Sequence, residues 1–255
     1  MEIPSLDMLL FLIGMGFVAG FIDSAVGGGG LISVPALLLT GLPTNMVLGT
    51  NKLGGTLASL TSTASFLFSG KINGKLVLAL FPLSFIGSAL GTYTVHLLPS
   101  DFLRPLVVGP LIIVLIYTLF KKRWDGNGKP VDLTAGRKWA AAVSALALGY
   151  YDGFFGPGTG SFLLFLFLLI GFDFVGASGN AKVLNLASNL ASLASFFWFH
   201  SVHIGYGSPM GLSMIVGALA GSQLAIRQGS RYVKPLFVTV TALLIGKQIW
   251  DYLHV

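Results

Sequence analysis

The sequence predicts an all-α fold: a polytopic transmembrane helical bundle of two inverted-topology repeats, with broken or half-length helices at two glycine-rich motifs. Three observations carry that prediction. The chain is 54% hydrophobic and only 9% charged, with a mean hydropathy of +0.84, whereas a soluble domain carries about 25% charge. Apolar runs fill nearly all of it, long enough to cross a hydrocarbon core at roughly 17–25 helical residues each, and the short alternating segments of a β-barrel are absent. The second half of the chain also repeats the first.

The elements follow in order from glycine, proline and charge. The first apolar segment, 8–24, follows "MEIPSLD", which is acidic and leads to no small-residue cleavage pattern, so it reads as a mature helix and not a signal peptide. It runs into "GFIDSAVGGGG" at 20–30, where the glycine density ends any helix. The next segment, 31–40, reaches only about halfway across a bilayer at 1.5 Å per residue. Segments 45–68, 76–97 and 102–120 complete the first half. The second half holds 137–152, the motif "GYYDGFFGPGTG" at 149–160, a short segment at 160–171, then 181–200, 209–226 and 232–253. The resulting division is a first transmembrane repeat at 1–120, a cytoplasmic basic linker at 121–138 and a second transmembrane repeat at 139–255.

An offset of 130 aligns the halves: Gly41 with Gly171, Lys52 with Lys182, Ser62 with Ser192, Gly87 and Gly91 with Gly217 and Gly221, and Pro105 with Pro235. The two short segments are half-helices or re-entrant pairs with their predecessors, and either way each half crosses an odd number of times. An odd number inverts the second half. Merging 8–40 into one kinked crossing would instead make the repeats parallel, and the positive-inside rule chooses between the two. The linker holds Lys121, Lys122, Arg123, Lys129, Arg137 and Lys138, and faces the cytoplasm in both arrangements. Inversion also brings the loops with Lys71 and Lys75 and with Arg227, Arg231 and Lys234 to that side, leaving Arg104 outside. It places both termini outside, in a multi-pass protein of the cell inner membrane.

The ionisable residues at depth are Asp23, Lys52, Asp152 and Lys182, with Lys247 near a helix end. Each charge costs about 2.5–3.5 kcal/mol at a helix centre, so four in repeat-related positions need a reason. One reading makes them Asp–Lys ion pairs that hold the halves together. The other makes them a site: broken helices in both halves of an inverted repeat line a midplane cavity in secondary transporters, and the N-termini at Gly28, Gly29 and Gly30 and at Gly158 and Gly160, with the two lysines, attract an anion. Small donors surround the lysines, Thr50 and Asn51 in the first half and Asn180, Asn185 and Asn189 in the second. Singly, each fits ordinary interhelical hydrogen bonding; as a set beside a lysine in both halves they favour the site reading. Lys182→Gln is then expected to lower transport more than stability, with Asp23 and Asp152 as proton carriers or lysine partners.

The motifs "GFIDSAVGGGGLISVPAL", "GTNKL", "GYYDGFFGPGTGSF" and "GNAKVLNLASN" resemble the sulfite exporter TauE/SafE family across both repeats. The resemblance implies an inner-membrane transporter that moves a small sulfur-containing anion, sulfite or an organosulfonate, outward and with proton coupling. The family's motif positions fall on Asp23, Gly27 to Gly30, Asn51 and Lys52, and on Asp152, Gly156, Pro157 and Lys182. Ala181 replaces Asn51 in the second repeat, so the half-sites differ chemically.

The remaining signals narrow the function. "GPGTG" is not a phosphate-binding loop, because no Lys-Ser/Thr follows it. His200 and His203 lack a third ligand, so no metal is expected, nor any cofactor. The formal charge of +6 belongs to the positive-inside pattern, without a nucleic-acid motif. Trp124, Trp139, Trp198 and Trp250 sit near span ends, as an aromatic belt does. The partners expected are the anion, the lipid bilayer and protons. A passive anion channel using the same lysines is the alternative, and an intramembrane enzyme ranks last for want of a catalytic set.

Overall fold

The computed structural model describes residues 5–98 and 134–229, with Arg231, Pro235 and Thr239 individually. Among the described residues every regular element is an α-helix. The first half gives α1 (Leu6–Val26), α2 (Gly30–Leu38), α3 (Thr44–Phe68) and α4 (Gly74–His96). The second gives α5 (Ala135–Phe154), α6 (Thr159–Ile170), α7 (Phe174–Trp198) and α8 (Ile204–Gln228). The expected segments 102–120 and 232–253 and most of the 121–138 linker, with Arg104, Trp124 and Lys247, lie outside the described residues.

Side-chain caps start most of the long helices. Ser5 accepts the Met8 N–H, Asn73 that of Leu76, Thr134 that of Arg137 and Asp173 that of Gly176. Asp173 explains why α7 begins seven residues before the expected 181: once capped, the polar run Gly176 to Asn180 stays helical because it is buried against the other half. Pro209 likewise does not start α8 but lies within it, near the N-terminal end, and Pro82 lies inside α4.

Helix contacts come in matched pairs, so that exchanging α1–α4 for α5–α8 leaves the packing pattern almost unchanged. α1 lies along α8 in the same direction: Gly20 meets the Met214 backbone, Gly217 the carbonyl of Phe17 and Gly221 that of Phe21. α5 lies along α4 in the same way, Gly149 and Gly153 meeting the carbonyls of Ser84 and Ser88. At such crossings small residues let backbones touch without side-chain loss, the usual solution where apolar surroundings give no hydrophobic drive. Hydroxyls stitch α4 to α7: Ser84 donates to the Leu184 carbonyl at 2.9 Å, Ser88 to that of Ser188 at 2.6 Å and Thr92 to Ser192 Oγ at 3.1 Å.

The central helices α3 and α7 run antiparallel. Gly49, near the start of α3, packs on the Ser201 carbonyl just past the end of α7, Gly55 faces Asn189, and Gly179, near the start of α7, packs on the Lys71 carbonyl just past the end of α3. Thr50 Oγ1 accepts the His203 N–H at 2.9 Å, and Asn180 Oδ1 accepts the Asn73 N–H at 2.8 Å, so each central helix pins the loop of the other half.

α1, α4 and α8 are long and apolar enough to cross a membrane. α3 and α7 are equally long at 25 residues, but they carry the polar stretches around Lys52 and Lys182 and bury them at the centre of the molecule. The nine residues of α2 and the twelve of α6 rise only about 14 and 18 Å at 1.5 Å per residue. Trp139 and Trp198 are both largely exposed, one at the start of α5 and the other at the end of α7.

Candidate functional site

The glycines of the two motifs interrupt the helices where the chain must turn sharply. Gly27 ends α1 at φ 79°, its N–H on the Asp23 carbonyl at 2.7 Å. Gly158 precedes α6 at φ 89°, in the left-handed region that glycine alone enters freely. The non-helical stretches are shorter than the glycine-rich motifs at 20–30 and 149–160, leaving only residues 27–29 and 155–158 outside the helices. Backbone bonds at the ends of α1 and α5, from the Gly27 N–H to the Asp23 carbonyl and from the Phe155 N–H to the Tyr151 carbonyl, keep the residues before each break helical.

These two breaks face each other. A Cβ on Gly27 would sit 2.2 Å from the carbonyl carbon of Gly160, and Gly30 packs against Pro157. Neither α2 nor α6 has a side-chain cap, and both begin at this junction. Amides at an uncapped start carry partial positive charge toward whatever they face.

Each buried lysine pairs with the aspartate of the opposite half. Lys52 Nζ lies 3.0 Å from Asp152 Oδ1 and donates to the Asp152 carbonyl at 2.6 Å. Lys182 Nζ lies 3.0 Å from Asp23 Oδ2 and donates to the Asp23 carbonyl. The ion-pair geometry, weighed against a substrate-facing one in the sequence, is therefore present at both lysines.

The two pairs are unequal. Asp23 Oδ1 accepts the Gly29 N–H at 3.2 Å, so both of its carboxylate oxygens are engaged. Asp152 Oδ2 is buried without any hydrogen-bond partner, although the residue is only 2% exposed.

A cavity of about 30 Å³ lies between the pairs, room for about two water molecules. From the first half Asp23, Gly28, Gly30, Asn51, Lys52 and Gly55 line it. From the second half come Asp152, Gly156, Gly158, Thr159 and Gly160, with Asn185 and Asn189 from α7 and Met214 from α8.

Four of the sequence-selected residues stand off the lining. Thr50 and Asn180 spend their side chains on the backbone amides of the opposite half's loops. Gly29 gives its N–H to Asp23, and Lys182 is taken up by the same aspartate. Conversely, the structure adds Gly55, Thr159 and Met214, which the sequence did not single out. The 130-residue offset contained the signal for Gly55, which aligns with Asn185, while Ser59 aligns with Asn189. Where the second half supplies an amide, the first supplies a glycine or a hydroxyl, so the polar lining is lopsided. Asn51 accepts the Ser33 hydroxyl through Oδ1, which turns its amide donors away from α2.

His203 caps α8, its Nδ1 accepting the Tyr206 N–H at 3.2 Å. His200 occupies the turn after α7 at φ 52°. Among the described residues no three metal-ligating side chains converge.

Comparison with known proteins places these residues in a family. The model for "Sulfite exporter TauE/SafE" matches residues 12–247. The chain is 36% identical to a probable membrane transporter protein of Sinorhizobium, covering 100% of this chain and 97% of that protein. It is 35% identical to a probable membrane transporter protein of Haemophilus influenzae, covering 96% of each. It is also 33% identical to the probable membrane transporter protein YfcA of Escherichia coli, covering 97% of this chain and 91% of that one. No solved structure matches the chain.

Proposed function

The chain belongs to the sulfite exporter TauE/SafE family of membrane transporters, and on that premise we propose that it is a secondary transporter of a small anion, sulfite or an organosulfonate, in the cell inner membrane. The observation that carries the reading is the convergence of two uncapped helix starts, from opposite halves, on a small polar cavity that holds Lys52 and three asparagines. Lys52 and the asparagine amides offer cationic and neutral N–H donors suited to an oxyanion, beside the carboxylates of Asp23 and Asp152.

The paired packing supports an inverted repeat. α3 and α7 are equivalent helices that run antiparallel, so an axis exchanging them lies perpendicular to both, within the plane of a membrane they cross. α1 and α2 fold back on one another, Gly29 at the start of α2 touching Ala19 and Asp23, which suits a re-entrant pair and an odd number of crossings per half. Backbone at the breaks packs directly between the halves, Gly27 against Gly160. Alternating access then consists of one half moving against the other around the glycine junction, opening the cavity to one side at a time.

Purified protein in liposomes, offered sulfite, sulfate, methanesulfonate and acetate with and without a pH gradient, tests the proposal. Saturable uptake of at least one anion, accelerated by the same anion on the far side, is the expected result. Uptake of none sinks it, and uptake without such counterflow would make the protein a passive channel.

A further inference from the structure

We propose that only the Lys52–Asp152 pair exchanges partners during transport, so that the protein carries one monoanion together with one proton, while Lys182–Asp23 remains a fixed clasp between the halves. This deepens the anion-transport reading above and rests on it.

The difference in hydrogen bonding separates the pairs. Asp23 has Lys182 on Oδ2 and the Gly29 N–H on Oδ1, and its lysine stands off the cavity. Both oxygens of Asp23 already accept a hydrogen bond, one of them from the turn that starts α2. Lys52 and Asp152 both line the cavity, and Asp152 Oδ2 is buried with no donor. An unpartnered carboxylate oxygen at that depth is costly as an anion, and it is the atom on which a proton can land without displacing another bond.

Charge balance then fixes the stoichiometry. The cavity region contains two lysines and two aspartates and is neutral as described. A monoanion entering alone would leave one uncompensated negative charge in surroundings that cannot solvate it. Protonation of Asp152 at Oδ2 restores neutrality: a water-borne proton forms the new O–H bond, Lys52 stays an ammonium, and its N–H donors pass from Asp152 Oδ1 to the anion. Asn51, Asn185 and Asn189 add neutral donors and no further charge. A dianion would need a second proton, and the clasp offers no second site for one.

The titratable groups around Asp152 are Lys52 on α3, Asp23 across the cavity on α1 with its partner Lys182 on α7, and Tyr151 on its own helix. Tyr151 gives its hydroxyl to the Pro157 carbonyl at 2.8 Å and does not contact the pair. α4 presents hydroxyls at this level, Ser88 and Thr92, with His96 farther along stacked on Phe199.

The test uses the full chain in liposomes loaded with a pH-sensitive dye, with methanesulfonate, a monoanion at every working pH, and sulfate as the probes. The expected result is that a methanesulfonate gradient drives protons in the same direction, one per anion, at a rate unchanged by a potassium–valinomycin voltage clamp, with sulfate at least tenfold slower. Asp152→Asn should abolish the proton movement, whereas any methanesulfonate flux retained by Asp23→Asn combined with Lys182→Gln should still carry one proton per anion. Methanesulfonate flux without protons, flux that follows the imposed voltage, or sulfate moving as fast would each overturn the inference and leave the transport reading standing. Should Asp152→Asn not fold, the wild-type stoichiometry and voltage response decide the matter alone. Absence of flux for every anion would overturn the transport reading itself.

Discussion

Replacing Lys182 by Gln removes the only cation within salt-bridge distance of Asp23 among the described residues and strands a carboxylate whose side chain is 12% exposed. Breaking a buried pair from one side costs about 3–5 kcal/mol. Asp23 keeps the Gly29 N–H on Oδ1, and a hydrogen bond to a charged group contributes about 1.5–3 kcal/mol, so the loss should fall near the lower end, about 3 kcal/mol. That corresponds to a fall in unfolding temperature of roughly 6–12 °C for a chain of this size. Lys52→Gln leaves Asp152 with no side-chain donor on either oxygen, and its cost should approach about 5 kcal/mol. Thermal unfolding of the purified protein, followed by tryptophan fluorescence, measures both. Adding Asp23→Asn to Lys182→Gln should recover most of the loss, whereas adding Asp152→Asn should recover none, because it neutralises the wrong partner. Transport should survive in the Lys182→Gln, Asp23→Asn double variant, contrary to the sequence expectation that Lys182 binds the substrate. Equal recovery from either aspartate, or a larger loss for Lys182→Gln than for Lys52→Gln, would refute the cross-paired geometry as the source of stability.

Three further outcomes follow from the packing. Gly27→Ala places a methyl group 2.2 Å from the Gly160 backbone at a φ of 79°, so the variant should lose transport and most folded yield on size-exclusion chromatography, and a normal profile with normal flux would contradict the junction. Ser88→Ala deletes the bonds to the Ser188 carbonyl and to Ser192 Oγ and should cost about 1.2 kcal/mol, twice the mean of about 0.6 kcal/mol for an interhelical bond in membranes, visible as a small shift in the same thermal assay. Single cysteines suit this cysteine-free chain: Ser69→Cys at the end of α3 should label from the cytoplasm and His200→Cys after α7 from outside, and labelling from one side would exclude the inverted arrangement.

Composition determined that this is a membrane protein, since 9% charge cannot solvate a globular surface, and the long apolar runs determined that it is helical, as every regular element among the described residues is. The local pattern also gave the helices and their breaks to within a few residues for α1 to α6, because glycine and proline act on the backbone of their own turn wherever the chain goes. Where it missed, burial against the other half kept the polar start of α7 helical, and the His203 cap began α8 ahead of Pro209. The aligned lysines and aspartates were legible as a set for the same reason, as charges in apolar sequence with no local use. Their pairing was not. The inequality of Asp23 and Asp152 was not legible either, because it depends on how each glycine break folds: the Gly29 amide turns back onto Asp23, and no donor reaches Asp152 Oδ2. The roles of Thr50 and Asn180 as loop pins, and of Met214 as a cavity wall, likewise depend on contacts more than 100 residues apart in sequence. A hydrogen bond or an ion pair is decided within about 4 Å of space, and only the folded chain brings α3, α5 and α7 that close.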